Sequence, residues 1–212
     1  MSDKEEEKMA LFDKLLNQAT HAIQANAKQG LSSVTSKVEN KIVDAVTSKK
    51  ETFTFEKLPQ TLEELKSLKE AELKTPYQAA ALAVVALCSV AQNPAITFEM
   101  LDFLNGPDEV STYTKQFIEE HLTNKTYLPL SFFEGAKPEN NYTPAVPYKI
   151  TVFSNSYSFT EENWGTVYVT SGGADSPRSI KVRKKPSTGQ WFVNDIQIMA
   201  DIRVPQSTDP WA

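Results

Sequence analysis

At 212 residues, with 40% hydrophobic and 23% charged side chains, the chain holds one domain of ordinary size plus an appendage. Its formal net charge of −5 argues against sequence-independent nucleic-acid binding as the main activity, because displacing phosphate counterions needs a large excess of Lys and Arg. The one cysteine, Cys88, excludes an internal disulfide.

The start of the chain is acidic and polar, unlike a secretory signal, and the longest apolar run, 79–90, is shorter than the roughly 20 residues of a membrane span. A reduced, cytoplasmic setting is the expectation. Residues 1–50 carry apolar residues at helical spacing: Phe12, Leu16, Ala19 and Ile23, then Leu31, Val34, Val38, Ile42 and Ala45 after a break at Gly30. This predicts an amphipathic helical arm ahead of a core domain spanning 51–212. Phe12, Leu15, Leu16 and Ile23 are its candidate contact residues, for self-association or for an unidentified protein partner. Membrane-surface contact is the weaker expectation, since eight Lys and seven Asp or Glu leave the polar face near neutral.

The core opens on Thr52-Phe53-Thr54-Phe55, which alternates like a short strand. Pro59 and Thr61 open a helix through Leu62, Leu65 and Leu68, with Glu63 and Glu64 at its positive end. Thr75 as cap and Pro76 at the first helical position start a second helix, which stays apolar almost all round over 79–91 and so reads as the buried centre of the domain. Pro94 is expected to stop it. A short apolar helix over 98–104 ends at Asn105-Gly106-Pro107, and Ser111 caps another through Phe117, Ile118 and Leu122.

The connection 124–147 carries four prolines with Tyr127, Phe132, Phe133 and Tyr142. It is long for a loop in a compact domain and is therefore a candidate functional surface. From Tyr148 the period becomes two, and 148–153, 165–170, 179–184 and 191–198 read as strands. Helices followed by strands predict an α+β fold: several helices packed on a C-terminal antiparallel meander of about four strands.

Little in this pattern carries covalent or metal chemistry. His21 and His121 have no His or Cys at ligand spacing, and the adjacent pairs Glu119–Glu120 and Glu161–Glu162 do not face each other. No catalytic residue, metal or cofactor is implied. In Ser171-Gly172-Gly173-Ala174-Asp175-Ser176-Pro177-Arg178 the glycines, Asp175 and Arg178 offer an anion contact, against the simpler reading of a wide turn. Tyr127, Phe132, Phe133, Tyr142 and Tyr148 are aromatic walls for a small-molecule pocket between the sheet and the connection. Lys181, Arg183 and Lys185 share one strand face, suited to an acidic partner or simply solvated.

Together, Phe53-Thr-Phe-Glu-Lys-Leu-Pro59, Leu62-Glu-Glu-Leu65, Asn105-Gly-Pro107, Phe133-Glu-Gly135, Tyr142-Thr-Pro144, the 171–178 loop, and the tail Ile202-Arg203-Val204-Pro205…Asp209-Pro210-Trp211 resemble an uncharacterised domain-of-unknown-function family of Firmicutes-type bacteria. The resemblance covers roughly residues 50–212. It implies an architecture and a cytoplasmic bacterial setting, and no catalytic residues. The leading functional expectation is a non-enzymatic interaction module. The alternatives are a small-molecule-binding domain, with or without activity, and membrane attachment through the arm.

Overall fold

The computed structural model describes residues 48–211. The arm, with Phe12, Leu15, Leu16, His21 and Ile23, lies outside the described residues. Lys49–Ala212 form one unit. Five strands, β1 (Lys50–Phe55), β2 (Tyr148–Phe153), β3 (Trp164–Val169), β4 (Arg178–Lys184) and β5 (Trp191–Gln197), make one antiparallel sheet in the order β1-β2-β3-β4-β5. The C-terminal meander is the one that the two-residue period predicts. The Thr52–Phe55 alternation supplies its fifth member, which returns to pair with β2 in the register Thr52↔Thr151.

Between β1 and β2 run the helices α1 (Leu62–Lys66), α2 (Pro76–Leu87), α3 (Pro94–Asn105), α4 (Thr112–Leu122) and α5 (Tyr127–Leu130). At the start of α2, the Thr75 hydroxyl accepts from Gln78 N at 3.2 Å while Gln78 Oε1 accepts from Thr75 N at 3.1 Å, a reciprocal cap with Pro76 behind it. Replacing Thr75 by Ala should lower stability by about 1 kcal/mol. Urea unfolding of Thr75→Ala beside Thr75→Ser, which keeps the hydroxyl, measures it.

Every residue from Ala79 to Leu87 is 0% exposed. Helix α2 touches all five strands on one side, and α3, α5 and the 3₁₀ turn Lys69–Glu72 elsewhere. Its all-apolar circumference is therefore explained by its position between two layers, and its alanines let those layers approach closely. The expectation for Pro94 needs correction. The central helix already ends at Leu87, and Pro94 opens α3, with Asn93 Oδ1 accepting from Ile96 N at 3.3 Å. Proline without an N–H suits a first helical turn as well as a stop.

The connection 124–147 also differs from the surface loop expected of it. Strands β2 and β3 share only the pairs Val152↔Val169 and Phe153↔Tyr168. Nearer the start of β2 they diverge, and residues 131–136 enter the gap: Phe133 bridges to Ile150 and Glu134 N donates to Lys149 O at 2.8 Å. Phe132 and Phe133 are buried with the rest of the core. The segment is a wedge in the sheet.

Candidate functional site

The wedge decides the fate of the expected ligand set. Tyr142 is fully buried, stacked on Tyr127 with ring centroids 5.3 Å apart, and its hydroxyl donates to Arg203 O at 2.6 Å. Phe133 meets Tyr148 edge-on at 5.7 Å. A Cβ placed on Gly173 would stand 1.8 Å from Tyr142 Oη, and one on Gly172 would stand 1.9 Å from Ala136 O. The structure thus brings these residues together as interlocked packing. The rings fill the space that they were expected to wall.

The anion contact is corrected on hydrogen-bond grounds. Gly172 N already donates to Ser131 O at 2.9 Å and Gly173 N to Ser171 Oγ at 3.1 Å, so neither is aimed at a ligand. The Arg178 guanidinium is engaged within the protein: Nε donates to Ala200 O at 2.9 Å, Nη2 to Asp201 O at 2.7 Å, and Nη1 to both Ser176 O and Ser176 Oγ at 3.0 Å. Asp175 pairs with Arg203 at 2.9 Å in an exposed contact, a kind worth less than about 1 kcal/mol. The loop is a seat for the C-terminal tail, whose Arg203 N donates to Gly173 O at 3.0 Å.

The titratable groups of the core sit in structural roles. Burial pushes the thiol pKa of Cys88 up and raises the phenol pKa values of Tyr127 and Tyr142, so none of the three ionises readily near neutrality. His121 occupies the last turn of α4, its Nδ1 2.9 Å from Phe117 O and its ring against that of Phe117. Among the described residues, no group of three or more His, Cys, Asp and Glu is placed to hold a metal ion.

An opening lies elsewhere, between α4 and the edge strand β5. Asp102 of α3 ties down the start of helix α4, its carboxylate accepting from Val110 N at 2.8 Å and from Lys115 Nζ at 2.7 Å. Ser111 Oγ caps α4 by accepting from Thr114 N at 3.1 Å. Ile118 and Leu122 then face the core, leaving Tyr113 77% and Phe117 38% exposed on the neighbouring stripe. Beside them is a groove of about 400 Å³, floored by Leu101 and Ile118 and bounded by Val193, Asn194, Asp195 and Ile196. A second groove of about 310 Å³ continues from Asn105, Val193 and Asn194 to Phe192 and Arg183, Lys184 and Lys185.

The basic strand face is as the alternation places it, with Ile180 and Val182 buried and Lys181 and Arg183 exposed. Lys181 Nζ lies 3.5 Å from Asp195, and Arg183 stacks over Trp164 at 4.9 Å. Lys185 lies just past β4, where its N–H closes the hairpin on Gln190 O at 2.8 Å. Tyr113, Phe117 and the β5 edge were missed from sequence. Their signal was the second apolar stripe of α4, Tyr113 and Phe117 at i, i+4, beside the buried Ile118–Leu122 stripe.

Residues 57–206 match a family described as a domain of unknown function (DUF6935). The chain belongs to this family. Neither a curated protein nor a solved structure matches it. The DUF6935 match takes in all five helices, the meander and the groove between α4 and β5. It begins after β1 and ends before the final Asp209-Pro210-Trp211.

Proposed function

We propose that this DUF6935 protein is a non-enzymatic interaction module of the bacterial cytoplasm, of the Firmicutes type, and that the groove between α4 and β5 is a protein-binding surface. The observation that carries this reading is the pair of exposed aromatic rings, Tyr113 and Phe117, bordering an open groove along a sheet edge. Exposed aromatic clusters beside a concave surface are the usual anchors of protein partners. The amphipathic arm supplies a second contact surface, directed to self-association. The Ile202–Pro205 and Asp209–Trp211 tail is, on this reading, a family feature. Of this tail, Arg203 docks on the domain through Gly173 O and the Tyr142 hydroxyl.

The test is quantitative affinity capture from the source cytoplasm with the full chain and with Phe117→Asp, whose exposed ring makes the change tolerable to the fold. The expectation is a set of partners at least about tenfold depleted in the variant, an effect of the size of one interface anchor. Identical partner sets for two equally stable proteins would falsify the groove reading. Light scattering on the full chain, alone and as Leu15→Asp with Leu16→Asp, checks the arm: association that survives both changes removes it.

A further inference from the structure

The groove has a particular kind of wall, and this inference rests on the interaction reading just given. Strand β5 has β4 on one side and, among the described residues, no strand on the other. Trp191 N donates to Leu73 O at 2.8 Å, so the main-chain groups of Trp191 point away from β4. In an antiparallel pair that orientation recurs every second residue, so Val193, opposite Val182, turns its N–H and C=O outward too, toward the groove it lines. The register then shifts between Lys181 and Val182, leaving Asn194 as the extra, bulged residue before Asp195 pairs with Lys181. Val193 through Ile196 all line the groove, as consecutive residues do where a strand presents its backbone edge.

Charge along this edge is segregated. The part beside α4 is lined by the carboxylates of Glu109 and Asp195, the latter paired with Lys181 at 3.5 Å, and by no Lys or Arg. The part beside the β4–β5 hairpin contains Arg183, Lys184 and Lys185 against the one carboxylate of Asp108. A bulge interrupts long pairing and discourages a second sheet from docking edge to edge, whereas a short strand needs only a few main-chain bonds and pockets for alternate side chains.

We propose that a short extended peptide of a protein partner adds antiparallel to the outer edge of β5. Its alternate apolar side chains sit against Phe117 and Ile196, and acidic residues on its C-terminal side meet Arg183, Lys184 and Lys185. A cation on its N-terminal side faces Glu109.

Random twelve-residue peptides displayed on phage and selected on the immobilised full chain provide the probe, with affinities of the synthetic winners read by fluorescence anisotropy. The expected winners alternate apolar residues and follow them with Asp or Glu. Methylating the peptide's backbone nitrogens one at a time should weaken binding about tenfold at every second position and little in between, since only alternate N–H groups of an added strand face its neighbour. Phe117→Asp should weaken binding by a similar factor. Lys184→Glu with Lys185→Glu should do so too, with affinity recovered by peptides whose acidic residues are changed to Lys. A methylation profile without the two-residue period overturns strand addition. Winners indifferent to both the Phe117 and the Lys184/Lys185 variants overturn the site, and a selection that yields no binder overturns the peptide class. In each case the partner sets captured by wild type and Phe117→Asp decide the broader reading separately.

Discussion

Gly172→Ala should be among the most damaging single substitutions in this domain, although it adds one methyl group to a loop. The new carbon would stand 1.9 Å from the carbonyl oxygen of Ala136. That oxygen belongs to backbone, and the segment carrying it is fixed in the gap between β2 and β3 by Glu134 N on Lys149 O and by the Phe133–Ile150 bridge. No side chain can rotate aside to make room. Relief requires moving either the wedge or the loop, which breaks Gly172 N on Ser131 O and the buried Ser171–Ser131 hydroxyl contact at 2.8 Å. Overpacking of this kind costs about 3 kcal/mol, or a fall in Tm of roughly 6–12 °C for a domain of this size. Gly189→Ala is the control. Nothing lies within 4 Å of that position, but its φ is +75°, so the expected cost is only about 1 kcal/mol, from backbone strain. Thermal unfolding of both variants ranks them. A Gly172→Ala protein as stable as wild type would mean that the loop is not seated on the wedge.

Leu82→Ala should cost about 3 kcal/mol for the opposite reason, by leaving space that nothing can fill. Leu82 lies mid-way along α2, fully buried, with alanines at 79, 80, 81 and 83 around it. Where a surface helix can settle toward its core to shrink a cavity, α2 is held between the sheet on one side and α3 and α5 elsewhere. Movement toward one layer opens a gap at the other, so collapse is incomplete and the cavity cost stays near its full value. In urea unfolding the midpoint should fall with the slope m unchanged, because the surface exposed on unfolding is nearly the same. A loss under about 1 kcal/mol would show that the layers do close around the deletion.

How much of this was readable in advance depended on whether a residue's neighbours in sequence were also its neighbours in space. The cap at Thr75 and the buried circumference of α2 follow from local pattern, and so do the meander strands, to within a residue at most ends. Even the β5 bulge left a trace: the side chains turned to the core at Val193 and Ile196 are three apart where a regular strand needs two. The wedge left none that pattern reading uses. Prolines and aromatics in 124–147 look like a surface connection, and the vacancy that receives them is made by two strands parting further along the chain. The 171–178 loop misled for a related reason. Its glycines are there for close approach to Ala136 and Tyr142, a requirement with the same composition as an anion-binding turn. The groove between α4 and β5 was legible in half, through the second stripe of α4, while the edge status of β5 is a property of the whole sheet order.

The pairing of β1 with β2 bears on how the chain reaches this state. Phe55 lies opposite Tyr148, and all five helices are strung in the loop between them. Closing a flexible loop of that length costs on the order of 4 kcal/mol of chain entropy before the first hydrogen bond between the two strands repays any of it. Strands β3, β4 and β5, joined by short connections, face a closure cost of only about 2 kcal/mol each, which favours early assembly of the meander. The expected order places the first strand in sequence last. Until that strand pairs, β2 presents an open edge on which a neighbouring chain can template, and misassembly during refolding of the full chain should concentrate there.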